Sequence, residues 1–222
     1  MSKSEVAIVI PCFNEVNTII SVYKKNSLYG NVLIVDDCSK DGTRKKLAQN
    51  KIKFIKNTKN IGYEASIIKG MKYILKYKKK IKYIATMDAD GELLPKWIPL
   101  LLKNLKKKNL DIVVGSRNKL NRVTEVILKI LFYIKYNIKD PISGLKIYRS
   151  KILKKLLSKI STNLFLVDIL IFSHYYSYSI GSFNTTVNKR KGIARVGNGL
   201  LINCKILNII FNTLFSSKFK SK

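Results

Sequence analysis

The chain has 222 residues, with 43 Lys or Arg against 13 Asp or Glu and a formal charge of +30. That length fits one domain with a full core, and that charge favours polyanionic partners (nucleic acid, anionic lipid headgroups, phosphorylated ligands) without speaking to fold. Three scattered cysteines without CxxC spacing and a single histidine exclude a disulfide framework and a structural zinc, and suit a reducing compartment.

The opening "MSKSEVAIVIPCFNE" is not a signal peptide, because its apolar run is short and flanked by Glu5 and Pro11. Short runs that are apolar at consecutive positions follow at 6–10, 32–35, 83–87 and 112–115, with "FIKN" at 54–57 as one more strand. Lack of alternation predicts strands covered on both faces, as in a parallel sheet. Between them, helical spacing covers 15–26, 41–50 (with Asp41 as a cap), 62–78 and 95–107, the last opening on Pro95 in its first turn. This β-α-β-α alternation through about residue 116 predicts an α/β fold, a doubly wound, mostly parallel sheet with helices on both faces.

The second half reads differently. Residues 123–138 form an amphipathic helix, "GLKIYR" at 144–149 a strand, 151–158 and 164–176 helices, and "YSIGSFNTTVNKR" a loosely alternating edge strand. An amphipathic helix over 200–215 and a frayed basic end complete the chain, which divides into a main domain over 1–196 and an appendage over 197–222. No uncharged run is long enough for a membrane-spanning helix.

The acids are scarce and placed. "PCFNE" follows the first strand, "DDCSKDG" the second, and "DADGE" the strand at 83–87. Carboxyl ends of parallel strands share one sheet edge, where ligands bind at the crevice of reversed strand order. Asp and Gly also serve turns, but turn chemistry does not require carboxylate pairs. Asp88 and Asp90 repel each other and need a counter-charge, which Mg²⁺ or Mn²⁺ provides while leaving positions open for phosphate oxygens. Gly91 lets the backbone turn. The spacing is not that of a calcium-binding EF-hand loop, and neither GxGxxG nor GxxxxGK[ST] occurs. A nucleotide diphosphate held through a metal is the chemistry left.

"PCFNE", "VDDCSKDGT", "NIGYEASIIKGM", "MDADGELLP", "VGSRN" and "DPISGLKIYR" together resemble the ordered motifs of the family 2 glycosyltransferases, above all the dolichyl-phosphate mannose synthase and polyprenyl-phosphate subgroup. The resemblance implies a GT-A fold and inverting transfer of a sugar from a GDP- or UDP-linked donor. It implies that Pro11, Phe13, Glu15, Val35 and Asp37 contact base and ribose, and that Asp88, Asp90 and Glu92 hold the metal and diphosphate. Arg117 and Arg122 would approach phosphate groups. Arg195, in "KGIARV", would stand at the family's phosphate-binding lysine, and Asp168, in "FLVDILI", near the acceptor. Phe13, Glu92, Leu145 and Ala194 depart from the family's usual Tyr, Gln, Phe and Ser.

The expected acceptor is a polyprenyl phosphate, which attacks unaided; the alternative is a sugar hydroxyl of a cell-surface glycan or lipid-linked saccharide, which needs a base such as Asp168. The helices at 123–138 and 200–215 would then lie in the membrane interface, or else pack on the core, and the enzyme would work at the cytoplasmic face. A nucleotidyltransferase would carry a glycine- and base-rich loop after the first strand, absent here. A nucleic-acid binder would leave Asp37, Asp88 and Asp90 unexplained, so no nucleic-acid partner is expected.

Overall fold

A computed structural model describes residues 3–120, 122–159, 166–188 and most of 203–210. Seven strands form one sheet: β1 (Val6–Cys12), β2 (Asn31–Asp36), β3 (Phe54–Lys56), β4 (Tyr83–Thr86), β5 (Ile112–Arg117), β6 (Lys146–Arg149) and β7 (Ile180–Thr185). Their spatial order is β3-β2-β1-β4-β6-β5-β7, and every pairing is parallel except those of β6, which runs antiparallel to both β4 and β5. All seven residues of β1 are buried, the physical reason the run "VAIVI" does not alternate: helices cover both faces.

On one face pack α1 (Ile19–Ser27), α2 (Thr43–Gln49) and α4 (Trp97–Lys107), through Ile19, Val22, Leu47, Ile98 and Leu101. On the other pack α3 (Tyr63–Tyr77), α5 (Val123–Tyr136), α6 (Ser150–Lys159) and α7 (Leu166–Tyr175), through Ile67, Met71, Phe132, Leu153 and Leu170. The strand order reverses between β1 and β4, so the crevice at their carboxyl ends is the topological switch point where α/β sheets bind ligands.

The antiparallel strand matters most for the site. Because β6 runs against its neighbours, its beginning, not its end, reaches the rim where β1, β2, β4 and β5 finish. The segment before and at the start of β6, Asp140 to Lys146, therefore joins the carboxyl-end loops. Nothing in the apolar run "GLKIY" fixes strand direction.

The amphipathic helix α5 divides its faces. Leu128 and Phe132 are in the core, while Val123, Val126, Ile127, Ile130 and Ile134 are exposed. Of the 200–215 segment, Ile206 is buried against the α5 side of the sheet and Asn203 accepts a hydrogen bond from Thr124 Oγ1 at 2.9 Å. This part of the tail packs on the main domain; the rest of the predicted helix lies outside the described residues. Among the described residues, no helix is long and apolar enough to cross a membrane.

Candidate active site

The loops after β1 and β2 are stitched together by the motif residues themselves. Asn14 N–H donates to Ser39 Oγ at 2.9 Å and Lys40 N–H to Asn14 Oδ1 at 2.8 Å. Glu15 N–H donates to Thr43 Oγ1 at 2.9 Å and Val16 N–H to Asp41 Oδ2 at 3.0 Å. Asp41 also accepts from Thr43 N–H at 3.0 Å; the N-cap of α2 is Gly42, so the expected Asp41 cap is instead a brace on the turn one residue earlier. Much of "PCFNE" and "DDCSKDGT" therefore builds the rim and fixes its shape.

Asp37 belongs to that framework. It is 3 % exposed, and its oxygens accept from Asn57 Nδ2 at 2.9 Å and from the N–H groups of Ile61 and Gly62 at 2.8 Å each. Its carboxylate thereby clasps the loop leading into α3. Pro11 and Val35 are both buried within paired strands, Val35 at 0 %, because the sheet core continues to that point. Phe13, by contrast, is 38 % exposed at the end of β1. Glu15 is buried and accepts from Thr18 Oγ1 at 2.8 Å.

At the centre stands Asp88, immediately beyond β4. Tyr63 O–H donates to its Oδ1 at 2.5 Å. Gly144 lies so close that a Cβ built there would be 2.3 Å from both Asp88 oxygens. Glycine is required here by the carboxylate itself, since the Gly144 φ lies outside the left-handed region. Gly144 is held in place where its carbonyl accepts from Thr86 Oγ1 at 2.6 Å, and Ser143 Oγ donates to Gly115 O at 2.6 Å. The "SGL" motif is thus a wall pinned to β4 and β5 with a notch for one carboxylate. Gly91, at φ +80°, makes the turn its position predicts.

Burial pushes the Asp88 carboxyl up to about 6, helped by the Asp90 charge and opposed by Tyr63, Arg117 and Lys146. Lys146, only 1 % exposed, donates to Ser143 O, and burial pushes its ammonium down to about 8 against the pull of Asp140 and Asp88. Asp88, Asp90, Arg117 and Lys146 therefore share one electrostatic centre. Among the described residues no three acidic, cysteine or histidine side chains converge as a group. Asp90 Oδ1 accepts from Glu92 N–H at 2.9 Å, a turn contact that holds the two residues together.

The arginines are also committed elsewhere. Arg117 makes a two-pronged contact with Asp140, Nε to Oδ2 at 2.8 Å and Nη2 to Oδ1 at 2.9 Å, with Glu125 at 3.6 Å. Burial works against the Arg117 charge, yet Asp140 and Glu125 raise its affinity for the proton still further. Arg122 donates to Glu125 Oε1 at 2.8 Å. Both arginines thus belong to one ion network with Asp140 and Glu125. Asp168 is half-buried in the first turn of α7 and is not among the main groups setting the Asp88 titration. Arg195 lies outside the described residues. The sequence reading missed Tyr63, Glu125, Asp140, Gly144 and Lys146 as site residues; for Asp140 and Gly144 the signal was their place in "DPISGLKIYR".

Residues 7–157 match glycosyl transferase family 2. The chain belongs to that family. Its members' fold is also found in solved structures: glucosyl-3-phosphoglycerate synthase from Mycobacterium tuberculosis superposes with a TM-score of 0.71 at 16 % identity, covering 94 % of this chain and 79 % of that one. A second structure of the same enzyme, with Mn²⁺, UDP-glucose and phosphoglyceric acid, gives the same scores. At that identity the likeness carries the GT-A fold alone.

Two curated relatives are similar over part of their length. An uncharacterized protein of Methanocaldococcus jannaschii is 40 % identical over 116 residues, 49 % of this chain and 50 % of its own. The UDP-N-acetylglucosamine–dolichyl-phosphate N-acetylglucosaminyltransferase of Methanococcus voltae is 30 % identical over 138 residues, 54 % of each chain. The chain spans about half the length of these two relatives. The polyprenyl-phosphate subgroup expected from the motifs is therefore narrower than what these matches establish, which is the family.

Proposed function

We propose that this glycosyltransferase moves a sugar from a nucleotide-diphosphate donor, with inversion at the anomeric carbon, by way of a divalent cation held on Asp88 and Asp90. The observation that carries this reading is the Asp88 notch. A carboxylate is kept beside a like charge, against a glycine that leaves room for nothing larger than hydrogen, at the switch point of the sheet. An all-oxygen pair with open positions fits Mg²⁺ or Mn²⁺, which take one or two carboxylates and complete their shell with phosphate and water. When bound, such an ion supplies positive charge to the departing diphosphate. Mn²⁺ and UDP-glucose in the glucosyl-3-phosphoglycerate synthase structure are in keeping with this.

The chain's own residues do the rest. Asp88 and Asp90 orient the diphosphate end of the donor, and exposed Phe13 offers a ring to the base. Lys146 and Arg117 hold positive charge behind the carboxylates. As the bond from the anomeric carbon to the diphosphate oxygen breaks, the acceptor oxygen forms the new bond from the opposite face.

Two acceptor classes each have support. Phosphoglyceric acid in the similar structures favours an acceptor hydroxyl, on a saccharide or a small phosphorylated alcohol, whose proton passes to a carboxylate; Asp168 is the candidate. The Methanococcus voltae relative favours a polyprenyl phosphate, as does an open groove of about 590 Å³ beyond β5, lined by Leu120, Val126, Ile130, Tyr133, Lys129 and Lys139. Lysines beside an exposed apolar helix face also favour contact with an anionic membrane surface.

Release of UDP or GDP from a panel of nucleotide sugars, with Mn²⁺ and with each acceptor class in turn, tests the reading. Acceptor-dependent release that is lost in both Asp88→Ala and Asp90→Ala is the expected result. A wild-type protein that binds no nucleotide sugar would falsify it.

Gly144→Ala is a sharper test of the notch. The added methyl and the Asp88 oxygens cannot coexist at 2.3 Å, so the carboxylate must turn away. Sugar transfer is expected to fall about 10- to 100-fold, the usual cost of misplacing a metal-binding group. The accompanying stability loss is expected to be about 1–3 kcal/mol. Initial rates beside thermal melts measure both; an unimpaired rate would show that Asp88 is not confined.

A further inference from the structure

We infer that Tyr63 is a positioning residue for the metal site, holding the Asp88 carboxylate in its cation-binding orientation; the inference rests on the donor-and-metal reading above and names a residue that reading does not use. Tyr63 opens α3, and its ring packs against the core on that face of the sheet. Its hydroxyl meets Asp88 Oδ1 at 2.5 Å across 25 residues of sequence.

Three contacts fix the tyrosine. The ring is packed, and the preceding Ile61 and Gly62 N–H groups are bound by Asp37 at 2.8 Å each. Asp37 is itself tied to Asn57, whose Nδ2 also donates to Ser66 Oγ of α3 at 3.0 Å. The rigidity of the β2 loop is thereby passed through Asp37 and the start of α3 to one phenol oxygen.

Asp88 is therefore held from two sides. The Gly144 wall limits where the carboxylate can lie, and the Tyr63 hydroxyl fixes its rotation by occupying one oxygen. In this reading it is Oδ2 that meets the cation. A hydroxyl donated to a ligating carboxylate is the usual way an outer group aligns a metal ligand, and its loss typically costs 10- to 100-fold in metal affinity or activity. An aligned carboxylate also avoids the rotational freedom that binding would otherwise remove.

Tyr63→Phe keeps the ring and removes only the hydroxyl. Mn²⁺ is titrated into wild type and variant in the presence of UDP, with a parallel series in GDP, and free Mn²⁺ is followed by electron paramagnetic resonance. Mn²⁺ binding about tenfold weaker in the variant is expected, with nucleotide affinity in EDTA and the melting temperature unchanged. Equal Mn²⁺ affinity in the two proteins overturns the role of Tyr63 while leaving the donor-and-metal reading in place. A variant that melts well below wild type and loses metal and nucleotide affinity alike also overturns it, making Tyr63 a packing residue. A wild type that binds no Mn²⁺ with either nucleotide overturns both.

Discussion

Asp88→Asn is expected to abolish sugar transfer and, in the ligand-free protein at neutral pH, to raise the melting temperature by about 2–4 °C, corresponding to roughly 1 kcal/mol for a chain of this size. The two effects have one cause. Burial and the Asp90 charge push the Asp88 carboxyl up to about 6, outweighing the pull of Tyr63, Arg117 and Lys146. The ionised form is therefore disfavoured by the fold, and asparagine removes the charge while keeping an oxygen to accept from Tyr63. Turnover should drop at least about 10³-fold, since the neutral amide is a poor partner for a divalent ion and a metal-stabilised leaving group carries several kcal/mol of the barrier.

The pH dependence has a definite sign. The folded protein binds the Asp88 proton more tightly than the unfolded chain, whose ordinary value is 3.8. Below 3.8 this group contributes no penalty; stability falls as pH rises from there to about 6, and the penalty is complete above that. Chemical denaturation at several pH values on wild type and Asp88→Asn isolates this component as the difference between the two curves. A variant less stable than wild type at pH 8 would mean that the cationic neighbours dominate.

How much of this was legible in the sequence depended on the kind of physics. Strands β1, β2, β4 and β5 announced themselves because burial on both faces demands consecutive apolar residues. The common edge for Asp37, Asp88 and Arg117 then followed from their parallel direction. Direction itself left no mark on β6, so the motif "DPISGLKIYR" gave no sign that Lys146 and the Gly144 wall reach the rim, which they do only because that strand runs backwards. The 4 % exposure of Glu125 depends on which face α5 turns inward, which an amphipathic pattern alone does not say for an acid. Tyr63 lies in the motif "NIGYEASIIKGM", but nothing there named its partner, which is a matter of register between α3 and the β4 loop. Val35 and Pro11 show the converse: the motif marks where a nucleotide would sit, and these side chains lie in the core beneath that place.

The buried Arg117–Asp140 pair gives the largest expected loss of stability. Arg117→Met should cost about 3–5 kcal/mol, because it strands a carboxylate that is 1 % exposed. That corresponds to a fall in melting temperature on the order of 10 °C. Asp140→Asn should also be damaging. It keeps the acceptor for the Arg117 N–H, now at 2.9 Å, but leaves the guanidinium with Glu125 at 3.6 Å as its remaining acid. Asparagine is the right replacement because Asp140 sits at φ +52°, a left-handed conformation that Asn tolerates and a branched residue does not. The double variant removes both charges, so it should lose clearly less than the sum of the singles, with a coupling energy of about 2 kcal/mol or more. Near-additive losses would mean that the two charges do not depend on each other. An Arg117→Met protein that melts like wild type but binds nucleotide diphosphate poorly would return Arg117 to the phosphate-contacting role its motif implies. Paired charges this deep rarely add net stability over a hydrophobic pair. Their use here is geometric: the Asp140 turn leads directly into Ser143 and Gly144, so anchoring it to β5 sets the position of the wall against which Asp88 is held.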